Sequence, residues 1–328
     1  MSAKRTLFLV SWIVGSVLCL TTQSISQSTS PHPKKVAISQ IVSHPALNET
    51  YEGIIEQLAK EGYVSGENLE IIYKNAQGNI VTSVQIAHSF SNLKPDVVVA
   101  ISTPSAQTAL SALKDTPIVF SSVSAPLEAK LVASLEEPGG MVTGVSNMVP
   151  FERQLKLVMQ LMPHLHALGV IYNPGEANST ATLAQMKEVA SRYNIGVLEA
   201  TASKTSEVIE STKSLLDRVD AFFINNDNTA LAAFEAIVAT AQRVKKPVFA
   251  SDLECVAQGA PAALGASQRE IGRQTGRMVV EVLKGTPPGK IPVQGPATIE
   301  LHINERAAQQ VGITIPATVR QQAQKVLQ

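Results

Sequence analysis

Tyr172-Asn173-Pro174-Gly175-Glu176-Ala177-Asn178-Ser179-Thr180 directly follows the apolar run Ala167–Ile171. The same design occurs earlier, where Ile101-Ser102-Thr103-Pro104-Ser105 follows Val97–Ala100. In each case a buried-strand pattern breaks into a polar turn and then enters a helix. The start of a helix offers unpaired N–H groups and suits a carboxylate. Because ligands of open α/β sheets bind at such strand ends, the two stretches predict two lobes that close on one small polar molecule.

Strand and helix patterns alternate along most of the chain, which predicts an α/β fold with parallel sheets and helices on both faces. The 328 residues are 45% hydrophobic and 16% charged, a composition and length that allow two lobes with cores of their own. The last element is predicted as a helix over Pro316–Leu327.

The N-terminus has the pattern of a secretory signal. Lys4 and Arg5 precede an apolar run that is short for a membrane span, and small residues follow it. Residues 1–26 are therefore predicted as a cleavable signal peptide and 27–34 as a leader, with an uncleaved membrane anchor as the alternative. A lipid anchor on Cys19 is disfavoured, because bulky Leu18 stands where a lipoprotein signal has Gly or Ala.

The charge balance excludes several classes of partner. The formal net charge is zero and no basic patch is visible, so neither nucleic acid nor an anionic membrane surface is expected as a partner. Removal of the signal leaves Cys255 as the single cysteine, so no internal disulfide is predicted. No nucleophile–base pair, metal-ligand cluster or cofactor motif stands out, and no catalytic residue, metal or cofactor is therefore predicted.

Polar residues that follow predicted strands are the candidate ligand-binding set. Their alternative role is to cap helices, which holds above all for Thr103, Ser105, Asn178, Ser179 and Asp227. The predicted set consists of Gln40, His44, Thr103, Pro104, Ser105, Ser122, Ser124, Tyr172, Asn173, Glu176, Asn178, Ser179, Asp227, Asn228, Asp252 and Ser267.

A zwitterionic amino acid fits this set. Its carboxylate would bind at the helix start and hydroxyls of Thr103–Ser105. Its ammonium would bind a carboxylate, for which Asp227 and Asp252 are the candidates, with Glu176 behind them.

The chain resembles the substrate-binding proteins of ABC transporters, in the branch linked to tryptophan and other aromatic amino acids. The resemblance runs from about Lys35 to Val326. It rests on segments that occur in order along the chain: His44-Pro45-Ala46-Leu47, Glu61-Gly62-Tyr63, Ser102-Thr103-Pro104, Pro138-Gly139-Gly140, Thr143-Gly144-Val145-Ser146, the stretch from Tyr172 to Ser179, Asp227-Asn228 and Gly272-Arg273-Gln274-Thr275.

The resemblance implies a type I periplasmic-binding-protein fold, in which two Rossmann-like lobes joined by a three-segment hinge enclose the ligand. Lobe 1 is expected to span 35–145 plus 253–292, and lobe 2 to span 146–252 plus 293–328. The hinge segments are expected near Thr143–Ser146, Ala250–Leu253 and Pro292–Gly295.

The resemblance also implies delivery of the ligand to the permease and ATPase of an importer. The leading hypothesis is a monomeric, extracytoplasmic binding protein for an amino acid-like ligand. A ligand sensor for a membrane receptor and, from another class, a secreted α/β enzyme are the alternatives. Two departures leave the ligand's identity open. Relatives commonly have Asp where this chain has Ala125, and Asp-Tyr where it has Ala266-Ser267.

Overall fold

The computed structural model describes residues 32–328. The predicted signal peptide, Cys19 and most of the leader lie outside these residues. Within the described part of the chain, no helix combines the length and the apolar character that a membrane crossing requires.

The first lobe is built on a five-stranded parallel sheet with the order β2-β1-β3-β4-β5. The central strand β3 is Val-Val-Val-Ala-Ile, and all five side chains are fully buried, as expected for a strand covered by helices on both faces. The elements are β1 (Lys34–Gln40), α1 (Pro45–Lys60), β2 (Leu69–Asn75), α2 (Ile80–Leu93), β3 (Val97–Ile101), α3 (Thr103–Ala112), β4 (Ile118–Val123) and β5 (Val142–Ser146).

The second lobe is built on a seven-stranded sheet with the order β12-β11-β10-β9-β8-β6-β7. Its strands are parallel except for the pair β10–β11, which is antiparallel. The elements are α4 (Phe151–Leu161), β6 (Ala167–Tyr172), α5 (Ala177–Ser191), β7 (Gly196–Thr201), α6 (Val208–Leu215), β8 (Ala221–Ile224), α7 (Asn228–Leu231), α8 (Phe234–Gln242), β9 (Val248–Ala250), β10 (Ala262–Ala266), α9 (Gln268–Leu283), β11 (Ile299–Asn304), α10 (Glu305–Gln310), α11 (Ala317–Gln322) and β12 (Lys325–Leu327).

Helix α9 follows the second sheet in sequence but packs in the first lobe. It lies against α1 and β4, and its apolar residues Ile271, Met278 and Val279 belong to the first hydrophobic core. The close approach of α9 to α1 requires glycine, since a Cβ at Gly53 or Gly272 would overlap a backbone carbonyl of the other helix.

The second point at which the chain crosses between the lobes differs from the predicted one. Residues 253–292 were expected in lobe 1, yet β10 pairs with β9 and β11 and so belongs to the second sheet. The crossover therefore lies at Ala266–Ser267 and not at Ala250–Leu253. The pattern of a single strand does not show which sheet the strand will join, because strand pairing depends on tertiary contacts.

Three crossovers run side by side between the lobes. Val145 pairs with Gln294, and Ser146 N donates to Gln294 O at 2.8 Å. Ser267 N donates to Thr298 O at 3.1 Å, which ties the second crossover to the third. The ends of the strands on either side are thereby held at one place, where the two lobes meet.

Candidate ligand-binding cleft

The carboxyl ends of both sheets face each other across a cleft. Helix α3 of the first lobe contacts α5 of the second, and each begins directly after a strand. A buried hydrogen bond from Ser102 Oγ to Asn228 Oδ1, 3.0 Å long, joins the lobes at this place. The two stretches singled out in the sequence are thus brought together.

Five buried side-chain atoms of the first lobe have no hydrogen-bond partner within residues 32–328. They are Ser39 Oγ, Gln40 Oε1, His44 Nε2, Thr103 Oγ1 and Ser105 Oγ. The amide of Gln40 is held from its other side, since Nε2 donates to Val42 O at 2.8 Å and to Asn48 Oδ1 at 2.9 Å. The hydroxyls of Thr103 and Ser105 do not cap α3, so the capping alternative is not what the structure has at these positions.

The second lobe contributes two unpartnered amide oxygens in the described chain, Asn178 Oδ1 and Asn225 Oδ1. Asn178 Nδ2 donates to Asn226 O at 2.8 Å, and Asn225 Nδ2 donates to Thr182 Oγ1 at 2.8 Å. Because a buried polar atom without a partner costs roughly 1–3 kcal/mol, such atoms grouped at the strand ends of two lobes indicate a binding site for a polar molecule.

His44 is a neutral member of this set. Burial lowers the pKa of its imidazole to about 4, and the side chain of Asn228 opposes this effect only in part. The ring is therefore uncharged near neutral pH, so it can offer a ligand a hydrogen bond but not a charge.

Asp227 and Glu176 serve the start of α7. Asp227 Oδ1 accepts from Ala230 N at 2.7 Å, and Oδ2 accepts from Asn173 N and Ser179 Oγ, both at 2.6 Å. Glu176 accepts from the backbone N–H groups of Asn228 and Thr229, each at 3.1 Å. Both carboxylates therefore cap the start of α7, and the pairing of either one with a ligand ammonium stays a prediction.

Asp252 is different, since only one of its oxygens is used. Oδ1 accepts from Gln268 Nε2 at 3.0 Å and from Asn226 Nδ2 at 3.2 Å, whereas Oδ2 accepts no hydrogen bond from residues 32–328. Burial raises the pKa of the carboxyl to about 6, against the two amide donors, which lower it. Near neutral pH the group is mostly an anion with a free oxygen, which suits a cation.

Two serines of the first lobe adopt a backbone conformation that non-glycine residues rarely adopt. Ser102 has φ 80° and Ser122 has φ 54°, at the ends of β3 and β4. Their side chains contact Asn228 of the second lobe and Gln268. Strain of this kind, about 1–3 kcal/mol per residue, occurs at functional sites where the surroundings hold it in place.

The remaining predicted residues divide into three groups. Pro104 and Asn173 line an open cavity of about 680 Å³ at the mouth of the cleft, together with Glu176 and Asn228. Ser124 donates to Asn147 Oδ1 at 2.9 Å beside the first crossover, and Ser179 binds Asp227. Tyr172 packs on the second core, and Ser267 lines a separate cavity beside Glu49.

The structure adds residues that the sequence did not single out, namely Thr50, Asn147, Asn225 and Gln268. Asn225 directly follows β8 and shares the strand-end signal, whereas Thr50 lies within a helix and carries no such signal. In residues 32–328 no three His, Cys, Asp or Glu side chains are grouped so as to hold a metal ion.

Comparison with known proteins decides the family. A model described as "ABC transporter substrate binding protein" matches residues 35–327. The chain belongs to this family. The resemblance found in the sequence is thereby confirmed, and so are the two α/β lobes of the type I fold. The family consists of solute-binding proteins of ABC importers and not of enzymes, and such proteins work outside the cytoplasm with a small-molecule ligand and an importer as partners.

Two similar proteins carry names that mention an amino acid. This substrate-binding protein is 38% identical over 279 residues to a tyrosine-binding protein of Clostridioides difficile (strain R20291), covering 85% of this chain and 81% of the relative. It is 34% identical to an ABC domain from Streptococcus pneumonia solved in complex with L-Trp, with a TM-score of 0.87, covering 90% of this chain and 100% of the other.

A third comparison concerns the relative position of the lobes. The ligand-free, open structure of CD0873, a substrate-binding protein with adhesive properties from Clostridium difficile, is 35% identical and covers 90% of this chain and 99% of the other, yet its TM-score is only 0.68. Since the identity equals that of the L-Trp complex within one percentage point, sequence divergence does not explain the lower score. The present structure is therefore more similar overall to the L-Trp complex than to this ligand-free, open structure.

Proposed function

We propose that this substrate-binding protein captures an L-amino acid or a related zwitterion between its lobes and delivers it to an ABC importer. The observation that carries the proposal is the group of buried, unpartnered polar atoms at the strand ends of both lobes. A ligand with hydrogen-bonding groups in several directions would satisfy them.

The carboxylate of the ligand is assigned to the start of α3. Thr103 Oγ1 and Ser105 Oγ are free to donate there, and α3 is a ten-residue helix whose first N–H groups and dipole favour an anion. Pro104 lies between the two and lacks an N–H, so the hydroxyls supply donors beside it.

The ammonium is assigned to Asp252, whose Oδ2 is free. A charge-assisted hydrogen bond in a dry cleft contributes roughly 1.5–3 kcal/mol. The names of the tyrosine-binding relative and of the L-Trp complex support an aromatic amino acid as the first candidate ligand.

The proposal includes the export of the protein and its oligomeric state. The basic and apolar start of the chain fits export with removal of residues 1–26, which would release a monomer to the outer side of the membrane. The importer's permease and ATPase would then be its partners.

Calorimetry with the 20 common L-amino acids and short peptides tests the function. We expect heat from an amino acid, with L-tyrosine and L-tryptophan as the first to be titrated. Heat from none of these compounds would contradict the proposed ligand class, although it would leave the family unchanged.

A matched pair of substitutions tests the site. Asp252→Asn removes the charge that faces the ligand ammonium, so we expect affinity to fall by about 2 kcal/mol, roughly thirtyfold. Asp227→Asn makes the same change in a buried carboxylate that caps α7, and its affinity should stay within about threefold of the wild type, because Asn also caps helices. Equal losses in the two variants would refute the assignment of Asp252.

A further inference from the structure

Gln268 links Asp252 to the first lobe. The side chain is 1% exposed and stands at the first position of α9, directly after the crossover at Ala266–Ser267. Its Oε1 accepts from Ser122 Oγ at 2.8 Å and from Thr50 Oγ1 at 3.1 Å. Its Nε2 donates to Asp252 Oδ1 at 3.0 Å.

The charge of Asp252 fixes the direction of the Gln268 amide. Hydroxyl groups either donate or accept, so Thr50 and Ser122 can face either end of the amide. A carboxylate only accepts, and an amide oxygen turned toward Asp252 Oδ1 would be repelled. The orientation with Nε2 toward Asp252 is therefore the one that suits an ionised carboxylate, and it opposes the uptake of a proton.

Both donors to Asp252 use the same oxygen. Gln268 approaches Oδ1 from the crossover side, and Asn226 approaches it at 3.2 Å from the end of β8. This arrangement leaves Oδ2 without a donor from residues 32–328, while amides from two different elements bind Oδ1. The serine that orients Gln268 is Ser122, one of the two strained serines.

We propose that Gln268 is a positioning residue for ligand recognition: its amide keeps Asp252 ionised and aims Oδ2 at the ligand's ammonium group. This role rests on the proposed function. In this role, recognition of the cationic group depends on two parts of the molecule. Asp252 in the second lobe supplies the charge, and Gln268 at the crossover between the lobes supplies the donor that holds it.

Several other titratable and charged groups lie near Asp252 or its neighbours in the chain. Glu254 and Cys255 follow it in the same segment, and the Asp252 charge contributes to the raised pKa of each. The charge of Glu49 in α1 raises the pKa of Glu254, and the charge of Lys325 in β12 lowers it. Arg269, the neighbour of Gln268, is bound to Glu49 and Glu56 on the surface.

Gln268→Met tests the role, because it keeps the length of the side chain and removes the donor. Calorimetry of wild type and variant between pH 5 and 9 uses L-tyrosine or L-tryptophan, whichever binds the wild type more tightly. Loss of the donor raises the pKa of Asp252 from about 6. For a rise of about one unit, the variant should bind about tenfold more weakly than wild type at pH 5, about twofold more weakly at pH 7 and about equally at pH 9, because the ionised fraction of Asp252 differs most below both pKa values.

Gln274→Met is the matched control. Gln274 is a buried glutamine of the same helix whose amide binds Gln294 Oε1 and Gly295 O, both at 3.1 Å, and no carboxylate. The control should leave the pH profile of binding unchanged. An affinity loss in Gln268→Met that is equal at every pH would show a merely structural role and overturn the proposal.

A readout without ligand separates this inference from the proposed function. The unfolding free energy of Gln268→Met relative to wild type should be lower at pH 8 than at pH 5, since only the ionised Asp252 needs the donor. The difference in unfolding free energy between Gln274→Met and wild type should be the same at pH 5 and pH 8. If the wild type binds no amino acid, the proposed function fails while this comparison still decides the role of Gln268.

Discussion

Three buried carboxylates follow strands of the second sheet or lie in the turns beside them, and their roles are set by what surrounds them. Asp227 and Glu176 are bound by the N–H groups that open α7, whereas Asp252 shares one oxygen between two amides and leaves the other free. The residue type is therefore not sufficient to name a ligand-binding group. What decides the role is the number of donors that the chain itself places around each oxygen.

A prediction at this scale concerns Asp227 and pH. Burial and the neighbouring Glu176 raise the pKa of its carboxyl above the ordinary value of 3.8. A carboxyl with a raised folded-state pKa contributes stability that is present below the unfolded pKa and is lost as pH rises toward the folded value. The unfolding free energy should therefore decline between about pH 4 and neutrality.

Asp227→Asn removes this contribution. The unfolding free energy of the variant should therefore decline with pH less steeply than that of wild type, by up to about 1.4 kcal/mol per pH unit. Urea denaturation at several pH values measures the slopes. Asp115→Asn makes the same change at an exposed position and should leave the slope as in wild type. Parallel curves for Asp227→Asn and wild type would contradict the prediction.

At the scale of elements, the contact between α1 and α9 determines how the lobes are connected. The helices approach so closely that Gly53 and Gly272 face backbone atoms of the opposite helix. α9 is thereby fixed to the first lobe although β10 and β11, on either side of it in sequence, belong to the second sheet. Gln268 at its first position is held in place by the same contact.

Gly272→Ala should destabilise the protein by about 1–3 kcal/mol, since the added methyl group would overlap the carbonyl oxygen of Thr50 and force the helices apart. Chemical denaturation followed by circular dichroism gives the value. Gly295→Ala is the control, because a Cβ there meets no atom within 4 Å and the backbone φ is not in the left-handed region. A variant as stable as the wild type would show that the helices can separate without cost.

For the whole molecule, the unpartnered atoms of the cleft predict a change of shape. Without ligand the closed arrangement leaves them buried at roughly 1–3 kcal/mol each, whereas opening the lobes exposes them to water. Ligand should therefore shift the population toward the closed form through contacts made only there. The three adjacent crossovers are the place where a hinge motion is expected.

Small-angle X-ray scattering measures this shift. The radius of gyration of the ligand-free protein should exceed that of the closed structure, and addition of the amino acid found by calorimetry should reduce it. Asp252→Asn at the same ligand concentration should show a smaller reduction, because it binds more weakly. A radius that does not change on saturation of the wild type would rule out closure.

The α/β class, the two lobes and the family were predictable from the sequence, because they depend on local patterns: apolar runs that form buried strands, polar turns that open helices, and motifs in a fixed order. The sequence also placed Thr103, Ser105, Asn178 and Asp252 at strand ends. Tertiary contacts were needed to show that Ala262–Ala266 joins the second sheet, and that Lys325–Leu327, predicted as the end of a helix, forms a strand beside β11. Strand pairing, the occupation of Asp227 by N–H donors and the link from Gln268 to Asp252 all join residues that are distant in sequence, and no local pattern encodes such contacts.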